Sequence, residues 1–591
     1  MSFLAFCWAI IATAGAEPDA ARVHRLFDLV WDHAMEEHPE AATYLGHPGF
    51  DDRWTDLSRP AVDRRKAEAA EPLHVLATID RGALNESDQL SYDLLEYDTT
   101  RAVEATAFPG ELLAISQMDG IQQDAATVLG ATPAEDNDGV ANVLSRLRAL
   151  PDLAAQVRDL LEEGVKEGVT PPQITLRDLA AQVRACASID PTVNPFLAEL
   201  KGEAKRQAAP IVLDTVAPAF ASFADWVEEI YVPGARQSTA ATDLPNGPAW
   251  YAHRIRASTT TDLTAEQIHE IGLAEVARIR SEMEIVKAEA GFDGDLREFF
   301  DHLRTDPRYF FTDAESLLTQ YRDICKRIDP ELCRLFGRLP RLPYGVVPMP
   351  AHIERSQTTA YYMPGAPEAN RPGYYYANTF DLASRPRWEM EALSLHEAVP
   401  GHHLQIALAQ ELEDIPRFRR GWSAYTAFVE GWGLYSESLG SELGLYRDAH
   451  SRFGQLTYEM WRAIRLVVDT GMHALGWSRD KAIEFFTDNA GKAGHDIVVE
   501  VDRYLVWPGQ ALAYKIGELK IKELRANAEA TLSDAFDVRA FHDFLLGSGA
   551  MPLDVLDKRV RGWATETTAR RGASARGGAD GTGESVPGRA I

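Results

Sequence analysis

The sequence predicts a mainly α-helical protein, large enough to fold as two lobes. Helical periodicity is the first sign. Thr264-Ala-Glu-Gln267 has the form of a capping box, and Ile268, Ile271, Val276, Ile279, Met283 and Val286 follow it at helical spacing. Similar amphipathic patterns run through 140–165, 174–188, 408–440, 455–475 and 515–530. Scarcity of strands is the second. The clearest is Tyr374-Tyr-Tyr-Ala-Asn-Thr379, rich in β-favouring aromatics and bounded by Arg371-Pro-Gly373 and Asp381. Length is the third, because 591 residues exceed the size at which one hydrophobic core stops growing.

Each part of the chain follows from its composition. Residues 1–16 read as a signal peptide: an apolar run from Phe3 to Ala14 ends in Ala14-Gly15-Ala16, which fits cleavage before Glu17. The run is too short to span a bilayer, and no later stretch offers 18 uncharged apolar residues, so no integral membrane span is expected in the mature chain. An exported protein, periplasmic or extracellular, follows from that reading. Pro245, Gly247 and Pro248 precede a new helical run, which divides an N-terminal lobe at 17–250 from a C-terminal lobe at 251–568. Residues 569–591, rich in Gly, Arg and Ser, are expected to be a disordered tail. Seven prolines between Pro340 and Pro372 rule out a continuous helix there and predict ordered loop and edge strand.

Charge and cysteine content narrow the function. A formal net charge of −29 argues against nucleic acid or an anionic membrane surface as the main partner. Four scattered cysteines, Cys7, Cys186, Cys325 and Cys333, are too few for a disulfide scaffold or a cysteine zinc ribbon.

The chemistry concentrates in Leu395-His-Glu-Ala-Val-Pro-Gly-His-His-Leu-Gln405. Histidine nitrogens bind zinc, and a glutamate beside one of them can act as base toward water at the metal. His396 and Glu397 supply that pair. A second histidine lies six (His402) or seven (His403) residues further on, whereas one helix face would place it at four. On an undistorted helix six residues turn about 240°, and seven return to the face roughly 10 Å away. A bulge at Pro400-Gly401 could return His402 to His396. A third ligand is available downstream in Ala427-Phe-Val-Glu-Gly-Trp-Gly-Leu-Tyr-Ser-Glu437, where Glu430 and Glu437 share a helix face. Glu430 sits beside Gly431 and Gly433, which admit close backbone approach, and Glu437 could orient a ligand imidazole.

Four segments, His396–Gln405, Phe428–Gly433, Val468–His473 and Arg503–Gly517, resemble the bacterial family called domain of unknown function 885 over roughly residues 20 to 565. That family is distantly similar to the angiotensin-converting-enzyme type of zinc metallopeptidase. The resemblance implies a deep cleft between helical lobes, Zn2+ held by His396, His402 and Glu430, and Glu397 as general base. It implies further that Tyr504 steadies the oxyanion, with His495 also at the carbonyl and Lys492 gripping a substrate carboxylate. Arg503, Tyr514, Tyr376 and Asn378 would contact substrate, and His403 and Glu437 would support the ligands. The partner implied is a short or unstructured peptide. This chain departs from the pattern by two extra residues inside the His-Glu…His motif. The same residues would serve a hydrolase of non-peptide amides or esters, and an inactive peptide-binding protein is the other alternative.

Overall fold

The computed structural model describes residues 3–351, 353–355, 357–421, 425–492 and 494–577. The expected capping box is formed: the Thr264 hydroxyl accepts from the Gln267 N–H, the Gln267 side chain accepts from the Thr264 N–H, and helix Ala265–Glu289 follows. Helices make up most of the described chain, joined by one three-stranded sheet.

Three large apolar clusters organise it. Residues from Phe3 to Leu95, joined by Phe418, form one. Residues from Ile115 to Ala235 form a second. The largest runs from Ala241 to Val560 and also takes Leu90 and Leu94. Helix Phe3–Ala12, in the segment expected to be a signal peptide, packs Phe3, Cys7 and Ile10 into the first cluster and leaves Trp8 exposed. No helix among the described residues is long and apolar enough to cross a membrane. All four cysteines are free.

Two segments differ from the sequence reading. The pattern at 408–440 is divided among helices His402–Gln410, Phe418–Gly421 and Thr426–Ser438, and Pro416 excludes a helix continuous through the first gap. The final helix runs Leu553–Gly577, so 569–577, expected to be tail, continue it; residues 578–591 lie outside the described residues.

Helix Ala449–Ala474 is the axis of the main cluster. It is buried along nearly its whole length and packs on Ala265–Glu289, with Gly272 closing the approach: a methyl there would lie 2.7 Å from the Leu466 side chain. Thr426–Ser438 packs on Ala513–Leu532 through a glycine pair, since a methyl on Gly431 would lie 2.5 Å from the Gly517 backbone. Glycine inside a helix costs about 1 kcal/mol relative to alanine. Close approach of the backbones beside Glu430 accounts for it.

The sheet has the order β1-β3-β2, from β1 (Tyr344–Pro348), β2 (Ala360–Met363) and β3 (Gly373–Ala377). β1 runs parallel to β3 and β2 antiparallel to it. The strand read from the sequence is therefore the central one. β2, whose tyrosines the reading passed over, is the edge beside the site.

Candidate metal centre

Helix Met390–Glu397 ends at the residue after His396, and a new helix starts at His402. Between them the chain turns through Ala398–Gly401, with the Val399–Pro400 peptide cis. Gly401 is required at this turn, because a side chain there would collide with the His396 carbonyl. The break removes the angular constraint of a continuous helix and folds His402 back: the His396 and His402 rings lie 4.7 Å apart, nearly perpendicular.

Glu430 meets both. Its Oε2 lies 3.4 Å from His396 Nε2 and 3.3 Å from His402 Nε2, and one ligand atom from each of the three residues lies within 4.8 Å of the others. Oε2 is buried and makes no hydrogen bond. Two ring nitrogens converge on one carboxylate oxygen at ion-pair distance, outside hydrogen-bond geometry. Ligands on one tetrahedral zinc stand about 3.5 Å apart, given bonds of roughly 2.0–2.1 Å. The three residues fit that ion.

Neighbouring contacts fix these side chains. The His396 Nδ1–H donates to Glu437 Oε1 at 2.8 Å, which turns Nε2 toward Glu430. Arg462 holds the same Glu437 oxygen at 3.0 Å. Gly433 leaves room for the ring, since a methyl there would lie 2.7 Å from it. Burial opposes charge on His396, but the Glu430 and Glu437 carboxylates override it and raise its pKa to about 9 in the metal-free state. Burial likewise opposes charge on Glu430, and the two imidazoles hold its carboxyl well below the usual range. Glu397 is pushed the other way, up, by burial.

A recess of about 870 Å³, mouth included, opens over these residues. His396, Glu397, His402 and Glu430 line it, as do residues 357–362, which include most of β2, and Arg465, Arg503 and Tyr514. Among the described residues β2 pairs only with β3, so its outer edge is free.

The model of the family described as bacterial protein of unknown function, DUF885, matches residues 39–560. The chain belongs to that family. None of the curated proteins matches it. Among solved structures, a candidate lipoprotein from Colwellia psychrerythraea is 27% identical, with 93% of this chain and 100% of that chain covered and a TM-score of 0.87. A candidate lipoprotein of unknown function from Shewanella oneidensis is 17% identical, covers 91% and 99%, and has a TM-score of 0.70, a likeness of fold alone.

In this DUF885 protein several residues proposed from sequence stand elsewhere. Tyr504 is fully buried and does not line the recess; its hydroxyl donates to Glu500 at 2.6 Å and accepts from Arg465 and Trp461. Tyr514 lines the recess instead. Its ring lies 6.4 Å from that of His396, and its hydroxyl accepts from Arg503 at 3.1 Å. Lys492 is buried in an ion pair with Glu389 at 2.5 Å. His495 is exposed and borders a neighbouring recess. Asn378 is a backbone clamp: its amide donates to the Glu354, Gln357 and Thr358 carbonyls and its oxygen accepts from Phe380 N–H, which shapes the loop leading into β2. Tyr376 reaches the site only through Tyr361, on which it stacks at 4.9 Å. His403 points away from the metal residues, its Nδ1 against the Tyr362 hydroxyl at 2.9 Å and its ring 4.5 Å from Tyr344.

Sequence reasoning missed Arg462 and Arg465. Their signal was available: two arginines three apart inside Met460-Trp-Arg-Ala-Ile-Arg-Leu-Val-Val468. A charge in such an apolar run needs a buried partner.

Proposed function

We propose that this protein is a zinc-dependent peptidase that hydrolyses amide bonds of short or unstructured peptides. The observation that carries the reading is the convergence of one ligand atom each from His396, His402 and Glu430 within 4.8 Å, with Glu397 lining the same recess. Zinc held by those residues would supply Lewis acidity toward a carbonyl and lower the pKa of water.

The chain's own groups supply the rest. Glu397, a carboxylate held above its usual range by burial, takes a proton from the attacking water and returns it to the leaving amine. Tyr514 accepts its hydrogen bond from Arg503, so its own O–H is free to donate to charge developing on the carbonyl oxygen. The free edge of β2 offers backbone groups to an extended peptide. Because candidate lipoproteins share this fold, we also place the protein outside the cytoplasm.

The test is a digest of a peptide mixture by zinc-loaded protein, with products read by mass spectrometry, beside Glu397→Gln. Cleavage by the wild type and a loss of about 10²–10⁴-fold in the variant, at unchanged zinc content, are expected. Equal activity of the two at one zinc each would refute the role of Glu397, and no cleavage at all would refute the peptidase.

A further inference from the structure

A second cavity, about 720 Å³ with its mouth included, shares no lining residue with the metal recess. Both helices that carry His402 and Glu430 line it, one through Ile406 and Ala409 and the other through Phe428 and Val429. Leu45 and Leu546 extend the apolar wall. An apolar cavity of this size with a few convergent polar groups is the ordinary form of a small-molecule site.

The polar groups define the guest. Of the lining residues only Arg419 and Arg420 are charged, and both are positive. Arg420 is occupied by the Glu413 and Ile415 carbonyls. Arg419, 3% exposed, donates to the Ser91 hydroxyl at 3.0 Å and to the Ser548 carbonyl, and its Nε is buried without a partner. Among the described residues no carboxylate forms an ion pair with it. Burial lowers its pKa to about 10; Arg559 adds to that, and only the Tyr425 phenol opposes it. Glu413 and Asp414, close by in the chain, are exposed, and residues 422–424, outside the described residues, are Trp, Ser and Ala and bring no acid.

Two acceptors complete the set. Gln405, 5% exposed, donates from its amide to the Phe428 carbonyl at 3.3 Å, and its Oε1 is buried and unpartnered. Gln410 donates to the Gly365 carbonyl at 2.9 Å and likewise leaves Oε1 without a partner. Buried polar groups left unpaired are costly, so a guest that pairs them is favoured. It must bring an anion to Arg419, N–H donors to the glutamine oxygens and an apolar body to the wall. A fatty acid lacks the donors, and a phosphate lacks the body.

We propose that this cavity binds a free apolar α-amino acid: Arg419 takes its carboxylate, Gln405 accepts from its ammonium, and its side chain lies on Ile406, Phe428, Val429 and Leu546. An ammonium offers three donors and no acceptor, which suits amide oxygens whose own N–H groups are already engaged. Such a site needs no turnover at the metal, so it stands or falls apart from the peptidase reading.

Calorimetric titration of the zinc-loaded full chain with leucine, leucinamide and 4-methylpentanoate tests each group in turn. Leucine should bind, and both analogues should bind about 10–100-fold more weakly, the amide for want of the anion and the acid for want of the ammonium. Leucine can also meet zinc in the recess, so two variants locate it. Ala409→Phe fills the cavity without changing charge, and Arg419→Gln removes the guanidinium; neither residue lines the recess. Each, checked for unchanged zinc content and far-UV circular dichroism, should lose at least about tenfold in leucine affinity. If Arg419→Gln does not fold, Ala409→Phe decides alone. Equal leucine affinity in wild type and Ala409→Phe would overturn the site. Equal affinity for leucine and 4-methylpentanoate would overturn the amino acid in favour of a simple apolar acid. No binding of leucine up to about 10 mM would overturn both.

Discussion

His396 donates its Nδ1–H to Glu437 at 2.8 Å, and Glu437 is itself held by Arg462 at 3.0 Å, so one buried carboxylate orients the His396 imidazole and neutralises an arginine. Glu437→Gln keeps the shape and removes the charge. Zinc affinity, measured by competition against a chelator, should fall about 10–100-fold. Stability should fall as well, because breaking a buried ion pair costs about 3–5 kcal/mol. Unchanged affinity would show that Glu437 does not tune the ligand.

The adjacent histidines face different surroundings. His402 Nε2 faces Glu430, whereas His403 is packed between Tyr344 and Tyr362. His402→Ala should therefore abolish stoichiometric zinc. His403→Ala should retain it and lose about 2–4 kcal/mol of stability, as a large-to-small core change does. Zinc content by atomic absorption and urea unfolding of both variants decide it, and the reverse pattern would exchange their roles.

The clustering of His396, His402 and Glu430 was legible because zinc chemistry restricts the residue types to look for and because Pro400-Gly401 marks a helix break. Helical periodicity was legible for the same reason that Thr264 and Gln267 cap their helix: both depend on residues three or four apart. The misplaced residues depend on distant partners. Nothing near Lys492 in sequence announces Glu389, 103 residues away, and nothing near Asn378 announces that its amide holds three carbonyls. Tyr504 and Tyr514 lie on different helices, and tertiary packing decides which phenol reaches the recess. The edge position of β2 was hidden because sheet order is set by tertiary pairing.

Gly433 sets propensity against space. Alanine there should favour the helix by about 1 kcal/mol. Its methyl, however, would lie 2.7–2.9 Å from the His396 ring, closer than carbon atoms pack. The ring must move, and it is held at Nδ1 and needed at Nε2. Gly433→Ala should weaken zinc at least about tenfold while leaving the metal-free protein folded. A variant that binds zinc as wild type does would show that the ring has room to shift.

His473 should make the fold acid-sensitive at a distance from the metal. Its Nδ1 accepts from the Ala241 N–H at 2.9 Å and its Nε2–H donates to the Tyr504 carbonyl at 3.0 Å, an arrangement open only to the neutral ring. Burial lowers its pKa to about 4. In the unfolded chain it returns to about 6.5, so between these values the unfolded state binds the extra proton. Stability therefore rises with pH across this window and is lost as pH falls from about 6.5 to about 4. At 1.36 kcal/mol per unit the contribution is about 3 kcal/mol. His542, buried between Tyr435 and the Leu335 carbonyl and also lowered to about 4, adds in the same direction. His473→Gln preserves an acceptor and a donor but cannot titrate. Urea unfolding of both proteins from pH 8 to pH 4.5, each kept metal-free with chelator so that the zinc residues contribute equally, isolates the term. The variant should be less stable at pH 8 and show the shallower pH dependence. Parallel curves would mean that His473 takes up its proton without unfolding the protein.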